Sequence, residues 1–230
     1  MLFISRKKKF NAMSVEKALN KQNARIVSVT KYRKYGIWLP PALSATFAAV
    51  TLVFYTSLDD ASSLTVAKIV IAAFIPIVIP FYELIFKRKI SIFANILVAS
   101  HAVLSVFLGS GFAFYSRIAW WDLFLHGYFG LVGAALLFTL FTELGGKIPR
   151  VGLCVFIFLS VMGCAALWEI FEFTTDRIFA QDAQCVYEAM RNGKNPVSDT
   201  MTDIIITAPG AVIFLVLTLF RKNDKKRQKN

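Results

Sequence analysis

Six ionisable side chains in this chain are spaced to work in pairs. Asp122 and His126 stand four residues apart, Glu169 and Glu172 three apart, and Asp199 and Asp203 four apart. On a helix, residues at these spacings stack on one face. Five carboxylates and one imidazole form a hard, oxygen-rich donor set. Such a set suits Mg²⁺, Mn²⁺ or Ca²⁺, and His126 extends the choice to Zn²⁺ or Fe²⁺. The expected ligands of a divalent metal ion (Mg, Mn or Zn) are Glu169, Glu172, Asp199 and Asp203. His126 is the expected base or further ligand, oriented by Asp122. Thr200 and Thr202 are placed to donate hydrogen bonds to the carboxylates. Without a cation, five clustered carboxylates cannot all be ionised, and a protonated member would serve as a general acid.

Each of these positions also has a structural reading. Asp199, in S-D-T-M-T-D, is placed to cap a helix, and Asp122 to cap another just after Trp120 and Trp121. Glu172 can snorkel to an interface. His126 can serve as a hydrogen-bonded histidine between helices. Glu169 lies nearly two turns inside its segment, where no cap role exists, and a carboxylate there is costly unless it serves a function. His101 reads as a packing or interhelical hydrogen-bond residue rather than a ligand. Glu83 and Glu143 read as interfacial. Arg177 either pairs with Asp176 or receives a phosphate or carboxylate.

These residues must be carried by membrane-spanning helices. The chain is 57% hydrophobic with 22 Phe, and its mean hydropathy is +0.59. That is too apolar for a soluble domain of 230 residues. Six stretches are long enough to cross about 30 Å of hydrocarbon: roughly 36–57, 65–86, 90–114, 119–143, 151–175 and 200–220. The expected fold is all-α, a six-helix transmembrane domain over 36–220, with a basic arm at 1–35 and a basic tail at 221–230.

The net charge of +12 does not point to nucleic acid, because its distribution is that of a topology signal. Ten Lys and Arg precede Tyr35, and six follow Phe220. Lys87, Arg88 and Lys89 fill one link, and Lys147 and Arg150 flank another. The positive-inside rule places these and both termini in the cytoplasm, where they also contact anionic lipid. Asp59, Asp60, the 176–199 link and all six site residues then lie outside. The start, MLFISRKKKF, lacks the apolar core of a cleavable signal peptide. Segment 13–29 reads as a surface helix on the cytoplasmic leaflet. Cys154, Cys164 and Cys185 form no CxxC motif and read as thiols, the first two as packing residues.

Helical phase identifies the inward faces. They run through Asp122, His126, Gly130 and Gly133 on span four, and Ala165, Glu169 and Glu172 on span five. On span six they run through Asp199, Asp203, Thr207 and Gly210, and on span three through His101, Ser105 and Gly109. Gly127, Gly130 and Gly133 let another helix approach closely. Spans one and two read as peripheral supports around a polar cleft between spans three to six. Pro76 and Pro80 are expected to kink span two, and Pro209-Gly210 to kink or unwind span six. Tyr115, Trp120 and Trp121 form an aromatic belt at one interface, and Tyr32, Tyr35 and Trp38 at the other.

The blocks WDLFLHGYFG, WEIFEF and DTMTD, followed by a small-residue stretch, resemble the YjdF-like family of bacterial inner-membrane proteins, a domain of unknown function. The resemblance covers about 65–220 and implies a multi-pass protein of the bacterial plasma membrane. A more distant similarity is to VanZ-like proteins, linked to teicoplanin resistance. Asp122 and His126 match their first block, with Leu123 in place of a Lys. Glu169 matches the second, with Glu172 in place of a Gln. Asp199, Asp203 and Gly210 match the third, with Thr207 in place of an Asn.

Three functions follow from the site. The first is a metal-dependent enzyme acting on a lipid or lipid-linked envelope substrate at the outer leaflet. The second is a cation- or proton-coupled transporter, with Pro209-Gly210 as its broken helix. The third is a non-catalytic membrane factor with a structural metal site. Membrane lipids are the expected partners, nucleic acid is not, and the sequence names no oligomeric state.

Overall fold

The structure, a computed structural model, describes residues 36–58, 62–143, 148–180 and 182–227. The N-terminal arm with its 13–29 segment, Asp59, Asp60 and Lys147 lie outside them, as do the side chains of Glu143 and of the basic tail. Contacts divide the chain into Met1–Leu39 and Pro40–Asn230. Only four residues of the first unit are described, and the second carries the fold.

Among the described residues the structure is helical, without strands. Six helices are long and apolar enough to cross a membrane: Leu39–Thr56, Ser63–Phe86, Ile92–Gly111, Trp121–Thr142, Arg150–Phe179 and Ser198–Leu219. They are spans one to six, and their ends fall within four residues of the expected positions. Short helices Phe114–Arg117 and Val186–Arg191 sit in the links after spans three and five. Large apolar side chains point away from the bundle, among them Val53, Ile71, Leu84, Val151 and Leu167. That inversion of the soluble pattern is what hydrocarbon surroundings favour.

Spans four and six pack most extensively. An added Cβ at Gly130 would run into the Thr207 carbonyl oxygen, and one at Gly210 into that of Gly127. The two backbones therefore touch, as small residues permit in lipid. Gly133 belongs to a different contact: its Cβ direction meets Val161 on span five. Below these contacts, Ala134, Ile157, Val161, Ala211 and Leu215 form a core joining spans four, five and six.

The first half of the bundle is less regular. Span two is broken at Pro76 by a 3-10 turn, Ile75–Ile77, between the helices Ser63–Phe74 and Val78–Phe86. Pro80 lies inside the second helix without ending it. Span three begins as an α-helix, Ile92–Ala102, and continues as a π-helix over Val103–Gly111. Non-α backbone at membrane depth is tolerated where protein or a cavity surrounds it. Ala48, Ile69, Ala72 and Phe107 bind spans one to three together. Span six does not unwind at Pro209-Gly210: helix Ser198–Arg227 continues through Pro209. Gly210 instead provides the close approach to span four. The three cysteines are thiols, and Cys154 packs against the core while Cys164 is exposed.

Candidate functional site

Asp122, on the first turn of span four, and His126, one turn deeper, share a face as their spacing requires. Span six brings Asp203 to the same point. His126 Nε2 lies 3.8 Å from an Asp122 oxygen and 3.8 Å from an Asp203 oxygen. One potential ligand atom from each of the three falls within 4.8 Å of the others. His126 and Asp203 are buried, and Asp122 is partly exposed. Both histidine contacts are longer than a hydrogen bond.

The backbone contact between spans four and six fixes this register. The fully buried Thr207 hydroxyl donates to the Asp203 carbonyl at 2.9 Å and to the His126 carbonyl at 3.3 Å. One side chain thus ties the residue carrying the imidazole to the residue carrying the carboxylate.

The remaining expected ligands are distributed around this group. Glu172 faces the same cavity as Asp122 and His126, and accepts a 2.9 Å hydrogen bond from Trp168 Nε1. Glu169 is buried in a separate network. Gln184 reaches in from the link after span five, and its Nε2 donates to the Glu169 carbonyl oxygen at 3.2 Å and to the Thr200 hydroxyl at 3.1 Å. The same nitrogen lies 3.5 Å from Glu169 Oε2, while Oε1 is buried without a hydrogen-bond partner. Asp199 is half-buried in the first turn of span six, one turn from Asp203. Thr202 turns back to the Ser198 carbonyl rather than to a carboxylate.

The cavity has a volume of about 320 Å³ and lies between spans two, three, four and five. Its polar end holds Tyr115, Asp122, His126 and Glu172, and its far end Ile75, Val98 and Leu136. Span two therefore lines the site through its broken turn and is more than a peripheral support. His101 and Ser105 also face the cavity, and the Ser105 hydroxyl donates to the His101 carbonyl at 2.8 Å. Tyr115, on the short helix between spans three and four, covers Gly109 with its ring. Burial, then Asp122 and Glu172, push its hydroxyl above the ordinary phenol range, so it is held as a donor.

Two side chains were not legible as parts of the site. Gln184 is one polar residue in a polar link, with no spacing that marks it. Tyr115 reads as an interfacial aromatic until span three bends it over the cavity. Asp176 accepts the backbone N–H groups of Ala183 at 2.8 Å and Gln184 at 3.1 Å, which aims Gln184 inward. Arg177 instead lies over the Phe173 ring, 5.3 Å from its centroid.

A family model described as Predicted membrane protein (DUF2238) matches residues 40–224. This agrees with the YjdF-like resemblance carried by the three sequence blocks. An uncharacterized protein of Thermotoga maritima is 27% identical over 147 residues, which cover 63% of this chain and 71% of that one. No solved structure matches.

Proposed function

This chain belongs to the predicted membrane protein family DUF2238, and on that footing we propose that it is a metal-dependent enzyme acting on a lipid or lipid-linked envelope substrate. The observation that carries the reading is the convergence of Asp122, His126 and Asp203, the first two of which line the polar end of a cavity. The distribution of Lys and Arg supports a bacterial plasma-membrane topology with cytoplasmic termini and this end facing outward.

The donor set fits a divalent cation. Asp122, His126 and Asp203 would hold the ion, and one donor atom from each already lies within 4.8 Å of the others. The ion would supply Lewis acidity toward a phosphoryl or carbonyl oxygen, or an activated water. His126 and Asp203 are held in register by Thr207. Glu172, which accepts a hydrogen bond from Trp168, lines the same end of the cavity and would serve as the proton acceptor. Tyr115 lines the same end of the cavity, where its hydroxyl would be available as a donor.

Metal analysis of the detergent-purified protein tests this reading. Near-stoichiometric Mg, Mn or Zn is expected, lost in folded His126→Ala and Asp203→Asn variants. Absence of binding after titration with all three metals would overturn it. A second reading, a structural clamp, is favoured by one observation: the ligands come from spans four and six, which already touch. Under the clamp, removing metal lowers the melting temperature; under the enzyme reading it abolishes turnover of an envelope lipid while the fold persists.

A further inference from the structure

The cavity differs along its length. From His126 to Leu136 is ten residues of one helix, about 15 Å of rise. At the near end lie Asp122, His126 and Glu172, with Asp203 3.8 Å from the His126 ring. Beyond them the wall is hydrocarbon: Ala102, Val106, Phe129 and Val132, then Val98, Leu136 and Ile75. Of the two polar side chains along that stretch, Ser105 turns its hydroxyl to the His101 carbonyl, and the His101 ring lies against the rings of Tyr128 and Phe129. The middle of the cavity therefore offers water few partners, and a dry apolar cavity takes apolar guests. At its deep end, Val98 and Leu136 pack on the Ile79, Ile90 and Ala94 core, which backs the slot there.

Its size and walls narrow the guest further. An apolar cavity of about 150 Å³ takes one benzene, so about 320 Å³ takes roughly a dozen carbon atoms. Spread over about 15 Å, that volume admits one hydrocarbon chain and not two side by side. The wall facing span four is where spans two and three leave α geometry: Ile75 sits in the 3-10 turn, and Ser105 and Val106 in the π-helix. Both irregular segments border the slot, and the space exists because two helices part from regular packing around it.

We propose that this cavity is the chain subsite for a single-chain amphiphile, whose anionic, metal-liganding head sits at Asp122, His126 and Asp203 and whose alkyl tail runs along span four to Leu136. The proposal deepens the enzyme reading and rests on it for the head group only. The tail subsite stands on the apolar wall.

The probe is an alkyl phosphate of about a dozen carbons with a diazirine at the chain end, photolysed on the full-length protein in detergent and mapped by peptide mass spectrometry. Labelling is expected on the segments holding Val98 and Leu136. Excess unlabelled alkyl phosphate should compete, and inorganic phosphate should not. Ala102→Phe, which fills the slot from a buried wall position, is expected to cut labelling at least tenfold. Val98→Phe gives the same result from the deep end should Ala102→Phe fail to fold. Retained labelling in His126→Ala, with no metal bound by the wild type, would uphold the chain subsite and leave the metal reading overturned. Labelling confined to outward-facing segments such as that of Leu159, or unchanged in both filled variants, or displaced fully by inorganic phosphate, would overturn the proposal.

Discussion

The contact between spans four and six and the gap between spans three and four sit on two sides of the same helix. On one side glycines bring backbone against backbone, and Thr207 bridges the two. On the other, a π-helix and a 3-10 turn leave a slot of about 320 Å³. Both depart from ordinary side-chain packing, in opposite directions. The tight side sets the register at which His126 and Asp203 meet. The loose side leaves room for something to be brought to them. Span four therefore serves as the rigid reference of the site.

Substitution on the tight side should cost most. Gly130→Leu or Gly210→Leu forces a side chain into a neighbouring backbone that cannot yield. Overpacking costs about 1–3 kcal/mol where side chains can shift and more where they cannot, so these variants are expected to lose the folded state in detergent. Recovery of well-folded Gly130→Leu with an unchanged melting temperature would show that the close approach is not needed.

His126→Ala and Asp203→Asn address the ligands that the tight contact positions. Metal content is expected to fall at least tenfold while the melting temperature moves little, because neither change disturbs the Thr207 bridge. A large fall in melting temperature with metal still bound would move both residues from chemistry to packing.

Gln184→Ala reaches the network beside the site. It removes the donor shared by Glu169 and Thr200 and leaves buried polar groups unsatisfied, which costs about 1–3 kcal/mol. Chemical denaturation should register that loss. In the same background, Glu169→Gln is expected to restore part of it, since a neutral amide is cheaper to bury than a carboxylate. No rescue would mean that Glu169 is already neutral or solvated in the folded protein.

The smallest effect belongs to span five. An added Cβ at Gly163 meets nothing within 4 Å. Gly163→Ala should be neutral or stabilise by up to about 1 kcal/mol through helix propensity. Destabilisation there would reveal a close partner, such as a second copy of the chain.

How far the sequence carried the fold depends on what each feature is made of. Spans are set by runs of apolar residues, and all six were legible to within four residues. Asp122, His126 and Asp203 were legible because helical spacing aligns the first two and places Asp203 on a polar stripe. That Asp203 would meet His126, while Asp199 stays a turn away, depends on the axial offset between spans four and six. That offset comes from Gly130 meeting Thr207, and no local pattern reports it. Pro76 signalled the break in span two correctly. Pro209 does not unwind span six, because a helix in lipid keeps its remaining backbone bonds rather than expose them. The π-helix carried no signal, since Val103–Gly111 is as apolar as the segments around it.

That π-helix bears on how the family can vary. A π turn holds its i→i+5 bonds by accommodating one residue more than an α turn closed at i+4. Val103–Gly111 holds nine residues, about two such turns, so removing one residue there would let one turn rewind as α with little displacement of the rest of span three. Elsewhere in a span the same deletion rotates every following side chain by about a quarter turn. Length differences of one residue among relatives are expected to collect in this stretch, and a deletion scan of span three would locate the positions that tolerate them. Shortened forms that fold should have a narrower slot, so chain length in the guest and chain length in the protein would change together.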